Sequence, residues 1–242
     1  MAVKACLNGG RTPDQHAAVP QTPDELARDA VAARRAGAFA VHLHPRDGDG
    51  RQTMAARECD AAVAAIRSAA PGLPIGLSTA EAIDPDPFAR AAAVSRWRTP
   101  PDFVSVNLGE IGWIGVIRAA LHAGIAIEAG LATPQEAREF TAGAFVHRVL
   151  RVLVEVQGGA EDAREVAALV PEGVPQLWHG YDRLTWDVLE AGAEAGHDVR
   201  VGLEDVLTLP DGRLATDNAE LVTAAVQLTS ALPEADQEGD DR

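Results

Sequence analysis

The 242-residue sequence is poor in aromatic residues, which make up 4% of it, and it holds only 2 cysteines. With so few aromatics, a hydrophobic core has to be built from Ala, Val and Leu side chains. Cys6 lies in an apolar run and Cys59 in a helical pattern, and their spacing suits neither a disulfide framework nor a zinc motif. We therefore expect both thiols to be free and buried, as in a reducing compartment.

Positive charge is also scarce: 21 Lys and Arg against 36 Asp and Glu give a formal net charge of −15. This balance argues against nucleic acid as a partner, because phosphate binding requires basic patches. It does not exclude a small anionic substrate, which responds to the local field of its site. Because apolar runs of membrane-spanning length and a secretory pattern are absent, we predict a cytoplasmic protein without membrane contact.

What the sequence does have is a regular alternation of short apolar β-like runs and amphipathic helical windows. Eight such pairs are predicted, with strands at Val3–Asn8, Phe39–His44, Leu73–Ser78, Phe103–Asn107, Ile125–Glu128, within Val146–Val156, at Pro175–His179 and at Val199–Glu204. This number of pairs in this length is typical of a (β/α)8 TIM barrel, an α/β fold. A doubly wound open sheet is the alternative, although Asn8-Gly9-Gly10-Arg11 matches its phosphate-binding loop poorly. We predict one barrel domain over residues 1–232 and an acidic, disordered tail over residues 233–242.

The second predicted strand ends in two histidines, His42 and His44, spaced so that both side chains point to the same face. Two imidazoles at a strand end resemble two-thirds of a metal site. The alternative is a pair of ordinary buried histidines that make hydrogen bonds.

Active sites of such barrels lie at the C-terminal ends of the strands. Those ends carry a set of polar residues: Asn8–Arg11, His42, His44, Ser78, Thr79, Asn107, Glu128, Glu155, Gln157, His179, Arg200, Glu204 and Asp205. Strand alternation places Arg200, Gly202 and Glu204 on one face, which predicts a His2Glu metal site of His42, His44 and Glu204 with open positions for substrate. Zinc suits these ligands, and Fe²⁺ or Mn²⁺ stay open as alternatives. A simple Arg200–Glu204 salt bridge is the other interpretation.

Several segments together resemble the β-keto acid cleavage enzyme family, whose type activity is 3-keto-5-aminohexanoate cleavage. They are Asn8-Gly-Gly-Arg-Thr-Pro, His42-Leu-His-Pro-Arg-Asp, Leu77-Ser-Thr, Ser105-Val-Asn-Leu, Ile127-Glu-Ala-Gly and Arg200-Val-Gly-Leu-Glu-Asp. The resemblance extends from Val3 to about Val226, and the pairing of the second and last of these motifs makes it specific.

The resemblance implies a zinc-dependent barrel that converts a β-keto acid and acetyl-CoA into acetoacetate and a new acyl-CoA. It implies zinc on His42, His44 and Glu204, with Asp205 and Arg200 as the catalytic pair. Substrate contacts are implied for Ser78, Thr79, Asn107 and Glu128. It also suggests a homo-oligomer, a tetramer.

Two features depart from the family pattern: the loops after the fourth and sixth strands are short, and Arg11 stands where the type enzyme has an acidic residue. Two other functions stay open, a metal-dependent hydrolase that uses the same His2Glu site on water, and a non-catalytic barrel that binds a small acid. Glu128 has an alternative role in a salt bridge. His179 either lines the site or hydrogen-bonds to backbone, and His16, His122, His147 and His197 are expected to be solvated.

Overall fold

The computed structural model describes residues 1–231 as a closed barrel of eight parallel strands, paired in chain order from β1 to β8. The strands are β1 Val3–Cys6, β2 Ala38–Leu43, β3 Ile75–Ser78, β4 Phe103–Asn107, β5 Ala126–Leu131, β6 Arg151–Glu155, β7 Gln176–His179 and β8 Asp198–Val201. The predicted single-domain (β/α)8 TIM barrel is confirmed. The predicted tail over residues 233–242 lies outside the described part of the chain.

A helix follows each strand and packs on the outside of the barrel. The helices are α1 Pro23–Arg35, α2 Ala56–Ala69, α3 Pro87–Val94, α4 Trp113–His122, α5 Pro134–Ala142, α6 Ala160–Ala167, α7 Thr185–Glu194 and α8 Asn218–Ala231. Right-handed strand–helix–strand connections of this kind require parallel strands and leave the strand C-termini at one mouth of the barrel.

The two faces of each strand differ in chemistry. Outward-facing Val41, Leu43, Ile75 and Leu77 are fully buried against the helices in a core of aliphatic side chains, as the scarcity of aromatics requires. The inward positions instead hold polar and charged groups, which include Lys4, His42, Ser78, Glu128 and Arg200. A buried polar interior is costly unless its groups are paired, so these side chains identify the functional part of the barrel.

Helix starts follow the capping residues of the sequence. Thr22 and Glu25 form a reciprocal capping box at α1, in which the Glu25 carboxylate accepts from the backbone of Thr22 at 2.9 Å. Thr133 and Asp86 cap α5 and α3, each followed by proline in the first turn. Each cap satisfies amide groups that the helix itself leaves free, worth about 1 kcal/mol.

Two predicted strand ends lie too far along the chain. Strand β8 ends at Val201 and not at Glu204, because residues 202–206 form a turn in which Asp205 and Val206 donate to the carbonyl of Gly202. Strand β1 likewise ends at Cys6 and not at Asn8, whereas β6, at Arg151–Glu155, lies within the predicted Val146–Val156. In both cases the apolar pattern continues past the strand into the following turn, because apolar side chains in turns also pack inward.

No helix within residues 1–231 is long and apolar enough to span a membrane. Cys6 and Cys59 are free and buried, as predicted. The short loops predicted after the fourth and sixth strands are present as residues 108–112 and 156–159.

Candidate active site

His42, His44 and Glu204 meet at the C-terminal mouth of the barrel. One ligand atom from each lies within 4.8 Å of the other two. The Nε2 atoms of His42 and His44 lie 3.8 and 3.5 Å from Glu204 Oε1, and the two rings meet edge to face with centroids 5.2 Å apart. Two imidazole nitrogens and a carboxylate at this spacing form a donor set of the kind that holds a divalent metal with open positions.

The free atoms of this cluster fit a metal ion. Within residues 1–231, buried Glu204 Oε2 has no hydrogen-bond partner, so a carboxylate oxygen is left for a cation. Burial lowers the pKa of His42 to about 3, which keeps its ring neutral and able to coordinate. Gln52 Oε1 is hydrogen-bonded to His44 Nδ1. This pairing places the His44 proton on Nδ1 and leaves a lone pair on Nε2 for a metal.

The first loop of the barrel fixes these ligands. The Asn8 side chain is fully buried and bonds both backbone groups of His44, accepting from its N–H and donating to its carbonyl, each at 2.9 Å. A Cβ atom on Gly9 would lie 2.3 Å from Glu204 Cγ, so only glycine at this position lets Glu204 reach the histidines. Gly9 also has φ +50°, which glycine adopts without cost.

Gly202 makes a similar close approach. Its Cβ would lie 2.0 Å from the Cys6 carbonyl oxygen, so the turn after β8 packs directly on the end of β1. This turn brings Glu204 to the mouth, with its N–H 3.3 Å from the same carbonyl. The prediction that Arg200, Gly202 and Glu204 alternate along one strand face is therefore wrong. Glu204 reaches the site through the turn after β8 and not as part of the strand.

Arg200 holds both carboxylates that follow it. Its Nη2 donates to Glu204 Oε1 at 2.7 Å and to Asp205 Oδ1 at 2.6 Å, while Nε lies 3.1 Å from each Asp205 oxygen. The salt bridge considered from the sequence exists, and it occurs together with the His2Glu cluster. Bidentate pairing fixes the plane of the Asp205 carboxylate.

The two carboxylates beside Arg200 have different electrostatic environments. Burial raises the pKa of Glu204, but Arg200 and the histidines outweigh this effect, so its pKa falls well below the usual range. Burial prevails at Asp205 and raises its pKa to about 6 against the attraction of Arg200. Glu204 is thus a permanent anion suited to a metal, and Asp205 is a carboxylate that exchanges a proton near neutrality.

The substrate residues predicted on β3 and β4 lie at the same mouth. Ser78 is buried and its hydroxyl accepts from the N–H of Ala80 at 3.3 Å. The Thr79 hydroxyl donates to the Ser105 carbonyl at 2.7 Å, so it is already committed to backbone. The Asn107 amide donates to Glu110 Oε1 at 3.0 Å, which fixes its orientation. Glu110 was not singled out in the sequence.

Glu128 is enclosed by two cations. Lys4 Nζ lies 2.5 Å from its Oε2 and Arg151 Nε lies 2.6 Å from its Oε1. All of its surface is buried, and the salt-bridge alternative weighed in the sequence is what the structure contains. Both of its oxygens are thus already paired, and a substrate contact for Glu128 stays a prediction.

Glu155, which the sequence placed among the strand-end residues without a role, ends β6 and is buried at the mouth. Its Oε2 lies 3.4 Å from Nε2 of His179, whose Nδ1 lies 3.6 Å from Asp205 Oδ1. The strand-end position was the one sequence signal for both. His16 was expected in solvent, but it is buried and its Nε2 lies 2.8 Å from the Ala215 carbonyl oxygen.

The sequence profile of one family, described as beta-keto acid cleavage enzyme, matches residues 1–155 and 141–235. These two stretches overlap and together cover nearly the whole chain, including the histidine pair and the Arg200–Asp205 segment. The chain belongs to the β-keto acid cleavage enzyme family. The membership predicted from the motifs is thereby confirmed.

Relatives of this β-keto acid cleavage enzyme family member include two proteins named 3-keto-5-aminohexanoate cleavage enzyme. The one from Fusobacterium nucleatum subsp. nucleatum is 27% identical over 253 residues, which cover 96% of this chain and 92% of that protein. The one from Acetoanaerobium sticklandii is 34% identical over 84 residues, 34% of this chain and 31% of that protein. The first alignment spans the whole barrel, so the similarity is not limited to one motif.

Solved structures agree on the fold. A binary complex of ObcA with oxaloacetate superposes with a TM-score of 0.68 and 17% identity over 86% of this chain and 63% of that one. The present chain therefore spans less than two-thirds of ObcA. The 3-hexulose-6-phosphate synthase from Salmonella typhimurium gives a TM-score of 0.60 with 14% identity over 95% of this chain and 99% of that one. At these identities the likeness concerns the barrel alone.

Proposed function

We propose that this family member cleaves a β-keto acid with acetyl-CoA, giving acetoacetate and the acyl-CoA of the remaining chain, in a zinc-dependent reaction. The observation that carries this proposal is the joining of two groups at one mouth. One is the His42, His44 and Glu204 donor set, and the other is the Arg200–Asp205 pair that shares Glu204 with it.

The three donors would hold a zinc ion, or another divalent ion of similar preference. A bound divalent ion supplies a Lewis acid that polarises the β-keto carbonyl and attracts the carboxylate of the acid. Arg200 neutralises part of the charge of Glu204 and Asp205 and fixes the orientation of both carboxylates. Asp205, which is fully buried, is shielded from bulk water.

The products define where Asp205 acts. Acetoacetate keeps the carboxylate of the acid and the methylene carbon beside it, so that methylene has to become the nucleophile. Asp205 takes a methylene proton, and the carbanion bonds to the acetyl carbonyl carbon as the carbon–sulfur bond breaks and releases the CoA thiolate. The thiolate then bonds to the original acyl carbon, the bond from that carbon to the methylene breaks, and Asp205 returns the proton to acetoacetate.

Ser78, Thr79 and Asn107 line the same mouth and are proposed to contact the substrate acid, with Glu128 as a further predicted contact. Support for a CoA thioester as the second substrate comes from the family and from ObcA, of which a ternary complex with a C4-CoA adduct and oxalate is known. ObcA resembles this chain in fold with a TM-score of 0.69. A homotetrameric assembly and a cytoplasmic location also remain proposals, and sedimentation of the purified protein tests the first.

The test joins metal analysis of the purified protein to a screen of β-keto acids. Acetoacetate is expected to form only when zinc, acetyl-CoA and a suitable acid are all present, with one acyl-CoA formed for each acetoacetate. Release of product from an acid or ester without any thioester would contradict the proposal and favour a hydrolase.

A further inference from the structure

Glu155 and Asn107 approach one another across a glycine. Gly130 lies on β5 between the strands that carry them, paired in register with Asn107. A Cβ atom on Gly130 would lie 2.5 Å from Glu155 Oε1 and 2.7 Å from Asn107 Oδ1. The space that a side chain would fill is therefore shared by two oxygen atoms from β4 and β6.

The amide of Asn107 is held in one orientation. Its Nδ2 donates to Glu110 Oε1 at 3.0 Å, and Glu110 Oε2 accepts from the guanidinium of buried Arg90 and from the N–H of Glu81. Because Nδ2 is committed, Oδ1 is the atom that faces Gly130. Within residues 1–231, no hydrogen bond ends on Asn107 Oδ1 or on Glu155 Oε1.

His179 stands behind Glu155. Its ring is fully buried, its Nδ1 is shared with the Gly180 carbonyl at 3.4 Å, and its Nε2 lies 3.4 Å from Glu155 Oε2 without a hydrogen bond in the described residues. A proton on Nδ1 leaves a lone pair on Nε2. Burial raises the pKa of Glu155 to about 8, so near neutrality its carboxyl is mostly protonated, with the O–H toward His179 and Oε1 as an acceptor.

The two facing oxygens favour a neutral ligand group. Arg200 and Lys4 lower the pKa of Glu155 whereas Glu110 and Glu204 raise it, so the surrounding charges oppose one another and burial keeps the acid uncharged. An ammonium group would lose its hydration at these oxygens without gaining a carboxylate partner. A hydroxyl group instead donates to one of the two fixed oxygens without adding charge to a desolvated site.

We propose that Glu155 and Asn107, supported by His179 behind Glu155, form a subsite that selects β-keto acids with a hydroxyl group on the acyl chain. The inference rests on the proposed function and names the substrate class of that site. A pair of acceptors that is otherwise unpaired discriminates strongly, because an acid without a donor leaves them unsatisfied.

The test compares 3-oxohexanoate with its 5-hydroxy and 5-amino derivatives on zinc-loaded protein. Binding is measured by calorimetry without acetyl-CoA, and turnover is measured with it. We expect the hydroxy acid to be preferred over 3-oxohexanoate by about tenfold or more in both measurements. Glu155→Leu should remove most of this preference, whereas Glu155→Gln, which matches the neutral acid in shape and keeps the acceptor, should retain it. Glu161→Gln, on the exposed first turn of α6, is the matched control.

The outcomes separate the two proposals. If Glu155→Leu cleaves all three acids with the same relative rates as the unaltered protein, the subsite is overturned. Tighter binding of the 5-amino derivative than of the 5-hydroxy derivative overturns the hydroxyl specificity. A binding preference without any cleavage supports the subsite and contradicts the proposed reaction. If Glu155→Leu does not fold, Gly130→Ala decides, since its methyl group displaces both oxygens and should reduce the preference in the same way.

Discussion

Lys4 Nζ lies 2.5 Å from Glu128 Oε2 inside the barrel, and neither side chain has any exposed surface. Lys4 is the sole lysine of a sequence that otherwise uses arginine for positive charge. Burial opposes ionisation of Glu128, but Lys4 and Arg151 outweigh it and lower the pKa of Glu128 to about 2. Glu128 is thus one anion between two cations, and its loss leaves both cations without a counter-ion.

Glu128→Gln should therefore destabilise the fold by about 3 kcal/mol, measured by urea unfolding at neutral pH. The matched control is the double variant Glu128→Gln with Lys4→Met, which removes one of the two cations that Glu128→Gln leaves without a counter-ion. It should be more stable than the single variant by about 1 kcal/mol or more. Equal stability of the two would show that the ion pair is not what holds this part of the interior.

Asp29 on α1 makes a pH-dependent contribution to the stability of the fold. Burial raises its pKa to about 7, and the Asn218 amide donates to it at 2.6 Å. A raised pKa means that the folded state binds the proton more tightly, so this contribution to stability is full below pH ~4 and is lost as the pH rises through about 7. Asp29→Asn should remove on the order of 2 kcal/mol of this decline, seen as a flatter stability curve between pH 4 and 8. A parallel curve for the variant would contradict the assignment.

The repeated strand–helix pattern was sufficient to predict the fold, because alternation of apolar runs and capped helices is a local property. The caps Thr22 and Thr133, each followed by proline, are local signals of the same kind. The end of β8 was missed, since the turn at Gly202 depends on a close approach to the backbone of Cys6. Such tertiary contact leaves no periodic pattern in the chain.

In the site, the sequence motifs identified the metal-binding residues but not the residues that orient them. His42, His44 and Glu204 come from motifs, and the structure brings them together. Gln52 and Glu110 lie in loops whose conformation decides whether their side chains reach the site. Spacing in the sequence does not encode that reach.

Gln52 offers a direct test of the metal site. Its Oε1 accepts from His44 Nδ1, which orients the ring and selects the tautomer. Gln52→Ala should weaken zinc binding about 10- to 100-fold, measured by competition with a chelator. Gln21→Ala, in a neighbouring loop and half-buried, is the control and should bind zinc as before. Unchanged affinity in Gln52→Ala would show that the hydrogen bond does not serve a metal ligand.

The metal and base roles separate in two variants. His44→Ala should lose bound zinc and turnover together, because it removes one of three ligands. Asp205→Asn should keep zinc and lose roughly a thousandfold in turnover, since the amide cannot accept the methylene proton. Metal content and acetoacetate formation are measured on the same samples. A fully active Asp205→Asn protein would end the assignment of Asp205 as the base.

Glu110 connects the outer loops to the substrate amide, because it accepts from Asn107 and from Arg90. Glu110→Ala frees the amide to rotate, so it should raise KM for the β-keto acid about tenfold while kcat changes less. Glu110→Gln keeps an oxygen for Asn107 and should recover most of the loss, although its pairing with Arg90 is weaker. Loss of kcat in both variants at unchanged KM would mean that Glu110 stabilises the reacting groups and does not orient Asn107.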